Sequence, residues 1–221
     1  PEAVINFIAL LGWNPGDGST QEIFSLKELI QAFNLEKVHK AGAVFDLERL
    51  DFFNGHYLRA LSPEEFAGRV YPWLEKETWF QGTSDDLHNT YAYKFLNAIQ
   101  TRIKTLSEAP AMIRYFLTDE FDYDLSLLEH QKMKIDRNIA KQALETAQED
   151  LQKYDDFSSE DEIQECLMQT IKRLEMKNGQ VLWPLRVALT GEQYSPGVFE
   201  MIVILGKEKT LNRIAKTLAK L

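Results

Sequence analysis

Apolar residues along this chain recur at helical spacing almost from its first position, and helix-start and helix-stop chemistry punctuates the stretches between them. Val4, Phe7, Ile8 and Leu11 predict a first helix that ends at Gly12. The turn-rich run Trp13-Asn14-Pro15-Gly16-Asp17-Gly18 follows. Ser25-Leu26-Lys27-Glu28 has the reciprocal pattern of a capping box and opens a helix through Leu29, Ile30 and Phe33. Asp46 caps another, with Leu47, Leu50 and Phe53 facing inward and Asn54-Gly55 as its expected end. Ser62-Pro63-Glu64-Glu65 starts a fourth, whose apolar face begins with Phe66 and Val70 and is interrupted at Pro72. A domain boundary is expected near residue 60.

Further along, residues 88–106 read as one long helix with the stripe Tyr91, Phe95, Ile99, Ile103 and Leu106, and Arg102 lies beside that stripe. Ile135, Ile139, Ala143, Ala147, Leu151 and Tyr154 share a face, and Ser158-Ser159-Glu160-Asp161-Glu162 starts a helix with Ile163, Leu167, Ile171 and Leu174 inward. Gly191 and Gly206 read as helix stops, and Ser195-Pro196 as a helix start with the serine as N-cap. Val198, Phe199, Ile202 and Leu205, then Leu211, Ile214 and Leu218, continue the periodicity. Three short helices would bring Arg186, Ser195 and Val198 near one end of a bundle. No strand alternation is convincing beyond residue 60, so the expected class is mainly all-α.

Composition adds limits. With 44% hydrophobic and 27% charged residues in a length of 221, a substantial core is available. No apolar run approaches the roughly 20 residues that span a bilayer. A single cysteine, Cys166, excludes an intrachain disulfide and fits a reducing compartment. The net charge of −9 is uneven: residues 166–221 hold nine Lys/Arg and four Asp/Glu, or +5, which leaves −14 for the rest. A basic C-terminal part could approach phosphate; a merely solvated imbalance is the plainer reading. The start at Pro1, directly in a helical pattern, suggests a piece of a longer protein.

Enzyme chemistry is not advertised. His39, His56, His88 and His130 are widely separated, and no HExxH, GxSxG, P-loop or GxGxxG pattern occurs. No metal site and no catalytic residue is expected. The acidic run with Asp119, Glu120, Asp122 and Asp124 has no EF-hand glycine or terminal glutamate and reads as a solvated linker. Trp73, Trp79 and Phe80 read as core or half-buried residues. Arg49 and Arg59 are possible phosphate contacts, with surface salt bridges the plainer alternative.

Three motif groups in order carry a resemblance. They are Pro1–Trp13 with Ile23–Phe33 and Phe45–Arg59; Arg102-Ile103-Lys104-Thr105-Leu106; and Pro184–Gly191, Ser195-Pro196-Gly197 and Ile204–Glu208. Together they resemble the C-terminal part of bacterial glutamyl-tRNA synthetases. The resemblance covers essentially the whole chain, with His56 and Leu58 as mild departures. It implies a partial stem-contact domain (1–60) and an anticodon-binding region of two helical subdomains (61–125 and 126–221). The family's HIGH-type and KMSK-type motifs are not present. Gln131-Lys132-Met133-Lys134 is only superficially like the latter and is expected to open an amphipathic helix.

By that resemblance Arg186 meets the first anticodon base, Ser195 contacts the bases and Val198 is an apolar contact. Arg102 reads the third base, favouring cytosine over guanine. Lys207, Lys209, Arg213, Lys216 and Lys220 add phosphate attraction. The partner implied is tRNA(Glu), in the cytoplasm, without DNA or membrane. The fragment itself needs no cofactor; its full-length, monomeric parent would use ATP and Mg²⁺ to attach glutamate. A helical protein-interaction module, a self-contained enzyme and a relative that charges both glutamate and glutamine tRNAs remain as alternatives.

Overall fold

The computed structural model describes residues 1–16, 18–39, 44–119 and 122–221. Asp17 of the first turn and Glu120 of the acidic run lie outside the described residues. Among those described there are ten α-helices and no sheet, and the pairings Trp13 with Val38 and His130 with Ile135 are isolated bridges.

The first three helices are α1 (Glu2–Gly12), α2 (Leu26–Ala32) and α3 (Leu47–Arg59). They pack around two small clusters, Ala3, Phe7 and Phe53, and Trp13, Phe24 and Leu29. The predicted capping box at Ser25–Glu28 forms, and Asp46 accepts from the amides of Glu48 and Arg49. The face predicted for α1 is corrected: Ala3, Asn6 and Phe7 point inward, while Val4 and Ile8 are exposed. A polar residue takes an inward slot that apolar periodicity cannot reveal. Asn6 donates to Glu22 O (2.7 Å) and accepts from the Phe24 amide (2.8 Å). Ile30 and Leu47 are exposed as well, against expectation. Helix α3 runs through Asn54-Gly55 to Arg59, since Gly55 keeps negative φ, and the Asn54 side chain donates outside the helix to Lys104 O.

One continuous core then runs from Leu58 to Ile214. Helix α4 (Pro63–Leu74) begins with the predicted capping box between Ser62 and Glu65. Pro72 does not interrupt it; it sits in the last turn, where the missing N–H forfeits a single bond. Helix α5 (Thr90–Gln100) is shorter than its apolar stripe. The amides of Arg102 and Ile103 both turn back to Ile99 O (2.8 and 3.1 Å), yet Ile103 still packs into the core. Gln100 Nε2 donates to Leu58 O and Leu61 O (2.7 and 3.0 Å), tying the end of α5 to the α3–α4 connection. Helix α6 (Ala109–Leu117) follows.

Helices α7 (Arg137–Gln152) and α8 (Glu160–Arg173) carry the faces predicted for them, with Asp136 and Ser159 as N-caps. The Gln131–Lys134 stretch is corrected: it is a 3₁₀ turn ending at Lys134 in the left-handed region (φ 55°), bridged by His130 and Ile135. Helix α9 (Asn178–Thr190) stops at Gly191 (φ 72°), as expected of a glycine C-cap. Helix α10 (Val198–Leu218) is broken at Gly206, whose φ of 73° and ψ of 175° divide it into two axes. Its start is a correction. Gly197 is the N-cap, and Ser195-Pro196 belongs to the preceding turn, where the serine oxygen serves another residue.

Candidate nucleic-acid interface

Four chain segments meet at one end of the bundle: the turn after α5, the last turns of α9, the connection 191–197 and the first turn of α10. Arg186 joins two of them, α9 and the connection. Gly191 reverses the chain, and Thr190 holds the reversal by donating to Arg186 O (2.8 Å) and accepting from the Glu192 amide (3.1 Å). The returning strand of chain lies against the Arg186 guanidinium. Its Nη1 faces Ser195 O (2.8 Å), Ser195 Oγ (2.9 Å) and Pro196 O (3.1 Å).

All three partners are neutral oxygens, and among the described residues no carboxylate lies within ion-pair distance of Arg186. Burial lowers its pKa from the ordinary arginine value, and the buried phenol Tyr115 and the neighbouring Arg102 also act on it. An arginine keeps its charge through such a shift. The result is a half-buried cation with directional support but no compensating anion.

Arg102 reaches the same end from the turn after α5. Its Nη1 donates to Ala98 O in the last turn of α5, and its Nη2 donates to Glu200 Oε2 at 2.7 Å. Tyr115 lies between the two arginines in an electrostatic sense. Burial pushes its phenol up, Arg102 and Arg186 pull it down, and Glu192 and Glu200 oppose them. The Tyr115 hydroxyl is buried and has no hydrogen-bond partner among the described residues. Val198 is 4% exposed, so its side chain packs in the core beneath the edge rather than standing on it.

Tyr194, which the helical pattern does not single out, is 86% exposed in the 191–197 connection, next to Ser195. The available signal was an aromatic residue in a turn bounded by Gly191 and Pro196, outside any apolar stripe. Exposed aromatic faces are what unpaired bases stack on.

The expected basic face of the last helix is largely spent inside the protein. Lys207 pairs with Asp155 (3.1 Å), Lys209 with Asp119 (3.9 Å) and Lys220 with Asp122 (2.9 Å). Lys216 donates to Asp119 O (3.4 Å). Arg213 is a correction as a phosphate contact: it is buried and donates to Leu189 O (2.6 Å), Thr118 O (3.0 Å) and Asp119 Oδ1 (3.3 Å). A groove of 590 Å³ runs between this helix and the acidic connection, lined by both signs of charge. Arg49 pairs with Glu22 (2.8 Å) and covers the Phe53 ring, and Arg59 is exposed at the end of α3.

A bundle end that gathers arginines, a hydroxyl and an exposed aromatic is an edge suited to unpaired bases. The family model described as "Anticodon binding domain" matches residues 65–218, and the chain belongs to that family. Over 221 residues it is 40% identical to the glutamate–tRNA ligase of Clostridium botulinum. It is 41% identical over 223 residues to that of Clostridium tetani. In each case all of this chain is covered but only 43% of the relative, so the chain spans less than half of the curated relatives' length.

Among solved structures, a glutamate tRNA ligase from Elizabethkingia meningosepticum, in complex with its amino acid, aligns with a TM-score of 0.78 and 29% identity. The alignment covers 100% of this chain and 41% of that one. A glutamate-tRNA synthetase from Elizabethkingia anophelis aligns with a TM-score of 0.73 and 28% identity, over 99% of this chain and 40% of that one. The expected class and resemblance therefore hold.

Proposed function

We propose that this chain recognises tRNA(Glu) through its anticodon loop, as the C-terminal part of a glutamate–tRNA ligase. In that reading the full-length parent attaches L-glutamate using ATP and Mg²⁺, works in the cytoplasm as a monomer, and uses the present region for recognition rather than chemistry. Residues 1–60 complete a stem-contact domain, and 61–125 and 126–221 form two anticodon-binding subdomains. No cluster of His, Cys, Asp or Glu arranged to hold a metal occurs among the described residues.

The observation that carries the reading is Arg186. A half-buried guanidinium held only by neutral oxygens is an expensive arrangement for a purely structural side chain. It fits an edge that awaits electron-rich base atoms. Arg102 contributes a second donor fork, the Ser195 hydroxyl lies beside Arg186, and Tyr194 offers a stacking face. Val198 supports the edge from below. Arg49, Arg59, Lys207 and Lys209 are candidate backbone contacts, each needing at most a weak surface pair to be exchanged for phosphate.

The exposed apolar side chains concentrate in residues 4–52, among them Val4, Ile8, Leu26, Ile30, Leu35, Phe45 and Phe52. Exposed apolar surface of this amount calls for a protein neighbour. The additional length of the relatives supplies one in the same reading.

The test is titration of the 221-residue chain with anticodon stem-loop RNAs carrying C or G at the third anticodon position, at fixed ionic strength. Tighter binding of the C loop supports the reading. Equal binding of both, and of any polyanion, would favour a protein-interaction module with a nonspecific basic surface.

A further inference from the structure

Arg102 and Glu200 meet from the ends of two helices that run into the same edge. Arg102 follows the C-terminus of α5, where unpaired carbonyls carry partial negative charge, and its Nη1 donates to one of them, Ala98 O. Glu200 lies in the first turn of α10, where the amide ends of the helix favour a carboxylate. Between them runs the 2.7 Å bond from Nη2 to Oε2. The two side chains are 36% and 27% exposed, so the pair is neither sealed from water nor dispersed in it.

This geometry restrains the guanidinium at both of its terminal nitrogens. Rotation about the side chain would break the bond to Ala98 or the bond to Glu200. A guanidinium carries five N–H donors, so others remain for a ligand in a fixed plane. The charge is treated differently from that of Arg186. Arg102 faces a carboxylate, whereas Arg186 donates to neutral oxygens.

We propose that Glu200 is a positioning residue for base selection at this edge. Its carboxylate fixes the plane of Arg102 and cancels its charge toward phosphate, so that the remaining donors select a base edge rather than RNA backbone. This rests on the reading of Arg102 as the contact of the third anticodon base. The edge then divides its labour: Arg186 adds net attraction to its own base contact, and the Arg102–Glu200 pair supplies discrimination at the third base.

Glu200→Gln tests the idea, since it keeps length and a hydrogen-bond acceptor while removing charge. The 221-residue chain, its Glu200→Gln and Arg102→Gln variants and the double variant are titrated with the C and G stem-loops over a series of salt concentrations. For Glu200→Gln the C-over-G preference is expected to fall by about fivefold or more. Its slope of log K against log salt should steepen by about 0.7, because one more cation is released to meet phosphate. In the Arg102→Gln background the same substitution should change neither quantity. A purely structural role would lower the melting temperature without moving the preference or the slope.

If Arg102→Gln abolishes the preference but Glu200→Gln matches wild type in both, the inference is overturned and the reading of Arg102 stands. If Arg102→Gln keeps the preference, that reading falls and the inference with it. Should Glu200→Gln not fold, the wild-type chain answers through the Arg102 side-chain N–H resonances. Restrained guanidinium rotation in the free protein and in the C-loop complex supports the proposal, and free rotation in that complex overturns it.

Discussion

Arg213 Nη2 lies 3.3 Å from Asp119 Oδ1, and this contact fastens the last helix to the connection that leaves α6. The guanidinium is 3% exposed while the carboxylate side chain is 52% exposed, so the anion reaches inward to serve a buried cation. Two backbone oxygens, Leu189 O and Thr118 O, also accept from it. Asp119→Asn removes the charge but leaves an acceptor. It should destabilise the fold by about 1–3 kcal/mol, as expected when a charged hydrogen bond to a buried group is weakened. Urea unfolding with an unchanged m-value is the measurement.

A second pairing with the acidic connection explains why basic residues should differ in their effect on RNA. Lys220 already faces Asp122 and the Tyr123 ring, whereas Arg186 has no anion. Arg186→Ala is expected to weaken anticodon stem-loop binding about tenfold or more, through a lost directional contact. Lys220→Ala should change affinity by no more than about twofold and leave the salt dependence nearly intact. Equal losses for both variants, on every loop sequence, would sink the assignment of Arg186.

Tyr194 offers a cleaner case because it stands on no packed surface. Tyr194→Ala should leave the melting temperature unchanged and lower RNA affinity by about 1–3 kcal/mol if a base stacks on the ring. Tyr194→Phe should retain the wild-type affinity. A loss shared by Phe and Ala would point to the hydroxyl instead of the ring face.

Acid sensitivity is expected at the α7–α8 contact. Burial raises the Asp150 pKa, but hydrogen bonds from Lys153, Thr170 and Arg173 outweigh it, and the net shift is downward. The folded carboxyl therefore lies below its unfolded value of about 3.9. Its stabilisation is complete above that pH and disappears as pH falls through the depressed folded value. Asp150→Asn should cost about 1–3 kcal/mol at neutral pH. The difference from wild type should shrink below about pH 4, as read from thermal melts across pH.

Local chemistry was the most legible part of the sequence. Ser25, Asp46, Ser62 and Ser159 cap helices as expected, because a cap depends on residues a few positions away. The stripes of α7 and α8 were equally plain, since each helix buries one regular face. What failed depended on partners distant in the chain. Ser195 does not cap a helix because Arg186, nine residues earlier, claims its oxygen. Arg213 is buried because its acceptors, Thr118 and Leu189, come from other helix ends.

Asn6 occupies an inward slot because it satisfies the Glu22–Phe24 backbone. For the interface, ordered motifs picked out Arg102, Arg186 and Ser195, but no spacing rule could show that Arg102 would be held by Glu200. Nor could any pattern of apolar positions find Tyr194.

The break at Gly206 gives α10 a mechanical division. Ahead of it, residues 198–205 carry Glu200 to its bond with Arg102; behind it, Lys209, Arg213 and Lys220 grip the acidic connection. A glycine with φ 73° and ψ 175° lets the two runs set their directions independently. The geometry of the Arg102–Glu200 contact is therefore set by residues 198–205 alone, and the anchoring to the acidic connection by the residues after the break.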